Sequence, residues 1–80
     1  MSNIEKLITC FRETLELKDT DDVTTLAYQQ HPSWDSVAHM RLIAALETEF
    51  DIMMETDQIL DLSNYTKAIE IMESHNVSFT

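Results

Sequence analysis

The chain has no glycine, one proline, one cysteine and only five basic residues. Each scarcity excludes something. Sheet proteins turn tightly on glycine, and phosphate-cradling loops need it so that backbone N–H groups can close on the anion. A β-rich fold, a P-loop and a Rossmann turn are therefore set aside, and an all-helical domain is expected. The lone cysteine, Cys10, permits no intramolecular disulfide and suits a reducing compartment. Against the five bases stand fifteen acids, giving a formal net charge of −10. Such a chain repels nucleic-acid backbones and anionic lipid surfaces, and its natural partners carry basic patches. No apolar run approaches the length of a membrane span, and the N-terminus lacks a basic-then-apolar leader pattern. A cytoplasmic location is the expectation, without membrane insertion.

What is present fits one domain covering residues 1–80. A hydrophobic share of 44% is ordinary for a folded chain. At this length the core is limited, and an enclosed catalytic cleft is hard to build beside it. The charge is uneven. Residues 1–34 hold six acids and three bases; residues 35–80 hold nine acids and two bases. The second half is where basic partners are expected to dock.

Ile4, Leu7, Ile8, Phe11 and Leu15 recur at helical spacing and predict a first helix over about 3–16. Ser2 and Glu5 make a capping box at its start. Cys10 falls inside this helix as a small buried or half-buried thiol, with no activating neighbour in view. A long loop, 17–35, follows. It holds an acidic turn at Asp19, Thr20, Asp21 and Asp22, apolar anchors at Val23, Leu26, Ala27 and Tyr28, and His31-Pro32. The acidic turn lacks the glycine and the distal glutamate of an EF-hand and reads as a solvated turn.

Asp35 is a suitable N-cap, so Ser36 opens a second helix over about 36–51. A short helix at 56–62 and a last one at 64–75 follow. The last carries Tyr65, Ala68, Ile69 and Met72 on one face and is capped by Ser63 or Asn64. The tail from Asn76 to Thr80 is expected to fray. The layout is a small antiparallel four-helix bundle, with three longer helices and one short.

On a wheel of 3.6 residues per turn, Leu42, Leu46 and Phe50 form a core stripe on the second helix, with Ile43 at its edge. Val37, Met40 and Ala44 form a second apolar stripe, surrounded by Arg41, Glu47, Thr48 and Asp51. Two readings of that second stripe are open: a contact surface for another protein, or one broad core face. Ser36 stands beside it, at the positive end of the helix dipole, where a phosphodiester gains from free N–H groups.

The run Trp34-Asp35-Ser36-Val37, then Met40, Leu42-Ile43, Ala45-Leu46-Glu47 and Glu49-Phe50-Asp51-Ile52, resembles the acyl carrier protein signature. The resemblance continues through Asp57, Ile59 and Leu62 to Tyr65, Ala68 and Ile69, and so covers nearly the whole chain. It implies a stand-alone carrier whose Ser36 receives 4′-phosphopantetheine from coenzyme A through a phosphopantetheinyl transferase, with Asp35 as the adjacent motif residue. The arm then holds acyl groups as thioesters and presents them to acyl-activating, acyltransferase or condensing enzymes with basic docking patches. The carrier performs no bond chemistry, and a monomer is usual. Val37, Met40, Arg41, Ala44, Glu47, Thr48 and Asp51 become the expected partner contacts. Ile43, Leu46, Ile59, Leu62 and Ala68 become the expected lining of an acyl pocket. Three departures from the family pattern stand out. A glycine usual just before the Asp-Ser pair is absent, with Ser33 and Trp34 in that stretch. Val37 replaces a leucine. His39 and Arg41 stand where fatty-acid carriers show acids, which points to a specialised pathway.

Three other readings remain. An aminoacyl or peptidyl carrier shares the motif. An unmodified helical adaptor shares the fold without the arm. A hydrolase pairing Ser36 with His39 has no orienting acid or oxyanion hole in view. His39 also lies toward the core side of the second helix. His31 and His75 are far apart and suggest no metal site; scattered histidines without carboxylate spacing are more often surface residues.

Overall fold

The computed structural model describes residues 2–18, 20–30 and 32–79. Its elements are α1 (Asn3–Thr14), a 3-10 turn (Val23–Thr25), α2 (Ser36–Phe50), α3 (Thr56–Asp61) and α4 (Tyr65–Ser74). Among the described residues there is no strand, only one isolated antiparallel bridge between Ala27 and Asn64. The fold is the expected small all-α bundle. No helix of it is long and apolar enough to cross a membrane. Asp19, His31 and Thr80, named above in the loop and tail, lie outside the described residues.

The helix starts follow the sequence closely. Ser2 and Glu5 form the capping box on α1. Asp35 Oδ1 accepts from Ala38 N at 2.9 Å on α2, and Asn64 Oδ1 accepts from Lys67 N at 2.8 Å on α4. Asp22 caps the 3-10 turn by accepting from Thr24 N at 3.0 Å. These exposed acids profit from the bonds. Backbone and side-chain hydrogen bonds from Ser2 lower the pKa of Glu5, and those from Thr24, side chain first, lower that of Asp22.

The helix ends come one or two residues earlier than expected, and the reason is shared. In each long helix a residue just past the end turns left-handed: Glu16 (φ 52°), Asp51 (φ 52°) and Asn76 (φ 67°). The next residue then donates its N–H back five positions. Leu17 N reaches Arg12 O at 3.0 Å, Ile52 N reaches Glu47 O at 3.1 Å, and Val77 N reaches Met72 O at 3.1 Å. Leu17, Ile52 and Val77 all pack against the core. This is the Schellman arrangement with its apolar follower, ordinarily made with glycine. A chain without glycine places non-glycine residues there, each against a steric penalty of about 1–2 kcal/mol.

The core is drawn from every part of the chain. Leu7, Phe11 and Leu15 of the predicted α1 stripe are buried, as are Leu42 and Leu46 of α2, Leu62 and Met72, and Trp34 from the loop. Fully burying such side chains stabilises by about 1.5–3 kcal/mol each. The edge of the Phe11 ring meets the Trp34 ring, with centroids 5.4 Å apart and planes at 81°.

The tail does not fray as expected through residue 79. Val77 and Phe79 pack on the core, Phe79 lies 6.3 Å from the Phe50 ring, and Asn3 Nδ2 donates to Ser78 O at 2.7 Å. Apolar residues at 77 and 79 cover the ends of α1 and α2, which outweighs the terminal position.

Candidate functional site

Ser36 is the first residue of α2 and is exposed. The Asp35 carboxylate takes Ala38 N, and His39 N bonds Asp35 O at 2.9 Å. The cap thus leaves the N–H groups of Ser36 and Val37 for an anion, at the positive end of a 15-residue helix. Ser36 Oγ lies 3.2 Å from the hydroxyl of Tyr28, which the loop brings across the start of α2.

Behind Ser36 is an aromatic stack. The Tyr28 ring stacks on His39, with centroids 4.7 Å apart, and Trp34 lies beyond at 6.1 Å from each. Trp34 Nε1 is only a donor, and it stands 3.0 Å from His39 Nδ1. His39 Nδ1 is therefore the acceptor and carries no proton. Nε2 then carries the proton and donates to Ile59 O at 2.8 Å. The geometry specifies one neutral tautomer. His39 is buried, on the core side of α2 as its position on the helix implied. Both of its nitrogens are engaged, by Trp34 and by Ile59, and Ser36 Oγ is with Tyr28, so no serine–histidine hydrogen bond is made and the hydrolase reading loses its base. Trp34, which stood out as a departure in the motif, is the fully buried anchor of this stack.

The second apolar stripe is exposed. Val37 is 62% and Met40 56% exposed, and Arg41, Ala44, Thr48 and Asp51 are exposed with them. Among the two readings left open, the broad core face is excluded. Glu47 differs from its neighbours. It is half-buried, and its carboxylate accepts Met54 N at 2.9 Å, tying the α2–α3 connection to α2.

Four of the five expected acyl-pocket residues, Ile43, Leu46, Leu62 and Ala68, are buried together in the core, and Ile59 packs against them. An open groove of about 440 Å³ lies elsewhere, between α1 and α2. Cys10, Thr9, Ala44 and Ala45 are among its lining, and none of the five is. Burial, followed by the Glu49 and Glu13 carboxylates, pushes the Cys10 thiol from the ordinary 9.0 up to about 11. It is an inert thiol at neutral pH. Among the described residues, no cluster of three or more His, Cys, Asp or Glu is arranged to hold a metal ion.

Sequence reasoning missed Tyr28 as a contact of Ser36 and His39 as a bridge to α3. Periodicity reports which face of a helix is apolar, whereas these contacts join residues 8 and 20 positions apart. Comparison with known proteins adds no further guide: no family model, no curated protein and no solved structure matches the chain.

Proposed function

We propose that this protein is a carrier, and that Ser36 bears a 4′-phosphopantetheine arm on which acyl groups travel as thioesters between cytoplasmic enzymes. The observation that carries the reading is an exposed serine at the first position of α2, beside an exposed apolar stripe on the same helix. Such a serine can be reached by a modifying enzyme that rests on the stripe. The free N–H groups and the helix dipole favour the phosphodiester once it forms. When bound, the arm supplies a thiol for thioester exchange. The chain's own residues position it: Asp35 fixes the start of α2, and Tyr28 contacts the Ser36 oxygen. The protein performs no bond chemistry in this reading; the enzymes it visits do. The acidic surface suits basic partners along residues 47–61.

The test is intact mass after incubation with coenzyme A and a promiscuous phosphopantetheinyl transferase, with Ser36→Ala as control. A gain of one phosphopantetheinyl group that is absent in the variant supports the carrier. No gain with several transferases overturns it and leaves the unmodified adaptor. That second reading draws on the same exposed stripe, which needs no arm to bind a partner.

A further inference from the structure

The largest exposed apolar side chains do not scatter over this molecule. Among the described residues Val37, Met40, Met53 and Leu60 are the exposed large hydrophobics, and all four fall on α2, on α3 or on the turn between them. Two hydrogen bonds lay that segment along α2. Glu47 holds Met54 N at one level, and His39 holds Ile59 O at another. Met53 and Leu60 are the immediate neighbours of those two anchor points and are 82% and 77% exposed. Solvated apolar side chains gathered on adjoining elements of a small protein mark a contact surface, and methionine and arginine are enriched in such surfaces.

The charge on this face is unlike that of the rest of the chain. From Ser36 to Leu46 α2 carries no acid, and Arg41 is its one formal charge. Arg41 is exposed, and the ion pair found among the described residues is Lys67–Glu70, with Arg41 in none. Fourteen of the chain's fifteen acids, all but Asp19, are among the described residues, and none of them pairs with this guanidinium. A planar fork of donors held beside Val37 and Met40 matches a carboxylate in bidentate geometry.

We propose that the Ser36 half of α2 and the α3 segment form one docking face for a protein surface that is apolar at its centre and presents a carboxylate to Arg41. The partner's basic groups then lie toward Asp51 and beyond, so its contact surface is acidic at one end and basic at the other. The ten residues from Arg41 to Asp51 separate those ends by about 15 Å along the helix. This deepens the carrier reading, and rests on it for the partner being an enzyme that works at Ser36.

The test incorporates a photoreactive methionine analogue into the full chain, which labels all five methionines; Met54 and Met72 are buried, so among the described residues Met40 and Met53 carry the exposed reactive groups, and crosslinks are assigned to their site by peptide mass. Crosslinking is run in a lysate of the cells that make the protein, and the captured partner is purified. Its affinity is then measured by calorimetry for the native chain, Arg41→Glu, Arg41→Lys and Ser36→Ala. The expected result is a crosslink through Met40 to a partner segment bearing Asp or Glu. Arg41→Glu should then weaken binding tenfold or more, Arg41→Lys less. Reversing the partner's facing carboxylate to lysine should restore affinity to Arg41→Glu. Absence of a Met40 crosslink overturns the proposal. So does a facing lysine or arginine on the partner, or an Arg41→Glu variant that binds as well as the native chain. The two readings fail separately. A chain that never takes the arm but keeps the charge-reversal effect loses the carrier and keeps the face. A chain that is loaded on Ser36 but is indifferent to Arg41→Glu keeps the carrier and loses the face.

Discussion

Ala38, His39, Leu42 and Leu46 face inward along α2, while Val37, Met40, Arg41 and Ala44, interleaved with them, face solvent. The inward side includes a histidine, and the outward side includes a valine and a methionine. Polarity alone would sort these residues differently. The inward histidine is stable there because Trp34 Nε1 and Ile59 O complete its hydrogen bonds. The outward apolar pair has no such partner within the chain. A buried polar group that is satisfied belongs to the structure, and an exposed apolar group that is unsatisfied is available for function. The comparison separates what holds this protein together from what it offers to others.

The largest expected effect lies on the inward side. Trp34→Ala should cost about 3–5 kcal/mol, because it empties a large buried site, removes the edge contact with Phe11 and strands His39 Nδ1. For a domain of this size that is a large share of total stability. Urea unfolding followed by circular dichroism measures it, and a loss below about 1 kcal/mol would mean the stack is not structural.

The inward side extends to Cys10 on α1. A pKa near 11 in place of 9.0 leaves on the order of a hundredfold less thiolate at pH 8. Alkylation by iodoacetamide should therefore be slow in the native chain and fast in urea. The sign for stability follows from the raised value. The folded state holds the proton more tightly, so its contribution is complete below about pH 9 and is lost as pH rises toward 11. Cys10→Ser should flatten that alkaline decline.

His39→Leu should cost about 1–3 kcal/mol, since it leaves the Trp34 N–H and the Ile59 carbonyl without partners. Because His39 ties α3 to α2, the loss should appear first in α3. Hydrogen exchange at the amides of residues 59 and 62 reads that directly. None of the six residues of α3 is fully buried, and its other ties are the Gln58 bonds to Ser74 and His75 and the packing of Ile59 on the core.

A smaller effect has the opposite sign. Glu16→Gly should stabilise by about 1 kcal/mol, because it removes the steric penalty of a left-handed glutamate. Asn76→Gly should gain less, since asparagine tolerates that conformation better. Thermal unfolding of the two variants side by side tests the ordering.

The smallest effect on stability is expected on the outward side. Val37→Ser and Met40→Ser should each stay within about 0.5 kcal/mol of the native chain. If either cost more than 1 kcal/mol, the outward side would be part of the structure and the contrast between the two faces would collapse.

Much of the fold was legible in the residues. The apolar spacing of Leu7, Phe11 and Leu15 marked α1, Ser2 and Asp35 marked two helix starts, and Asn64 is the one of two candidates, Ser63 or Asn64, that caps α4, because an N-cap depends on chemistry within four residues. Helix ends were less legible. Their usual sign is glycine, and this chain uses Glu16, Asp51 and Asn76 instead. For the candidate site, Ser36 was placed correctly at the head of α2 beside the second stripe. Tyr28 and the role of His39 were not legible, since neither lies at helical spacing from the group it contacts. The tail was misread because its anchors, Phe50 and Asn3, are remote in sequence.

The sequence by itself determined that this protein is helical, acidic and built as one small bundle, because absence of glycine, helical periodicity and capping residues all act over one or two turns. Only the tertiary structure decided that the second apolar stripe of α2 stays exposed and is not part of one broad core face. It also decided that His39 is neutral with its proton on Nε2, and that the segment from Met54 to Ile59 is tied to α2 at Glu47 and His39. Those outcomes depend on Trp34, Ile59 and Glu47 arriving from other parts of the chain, and packing is what brings them there.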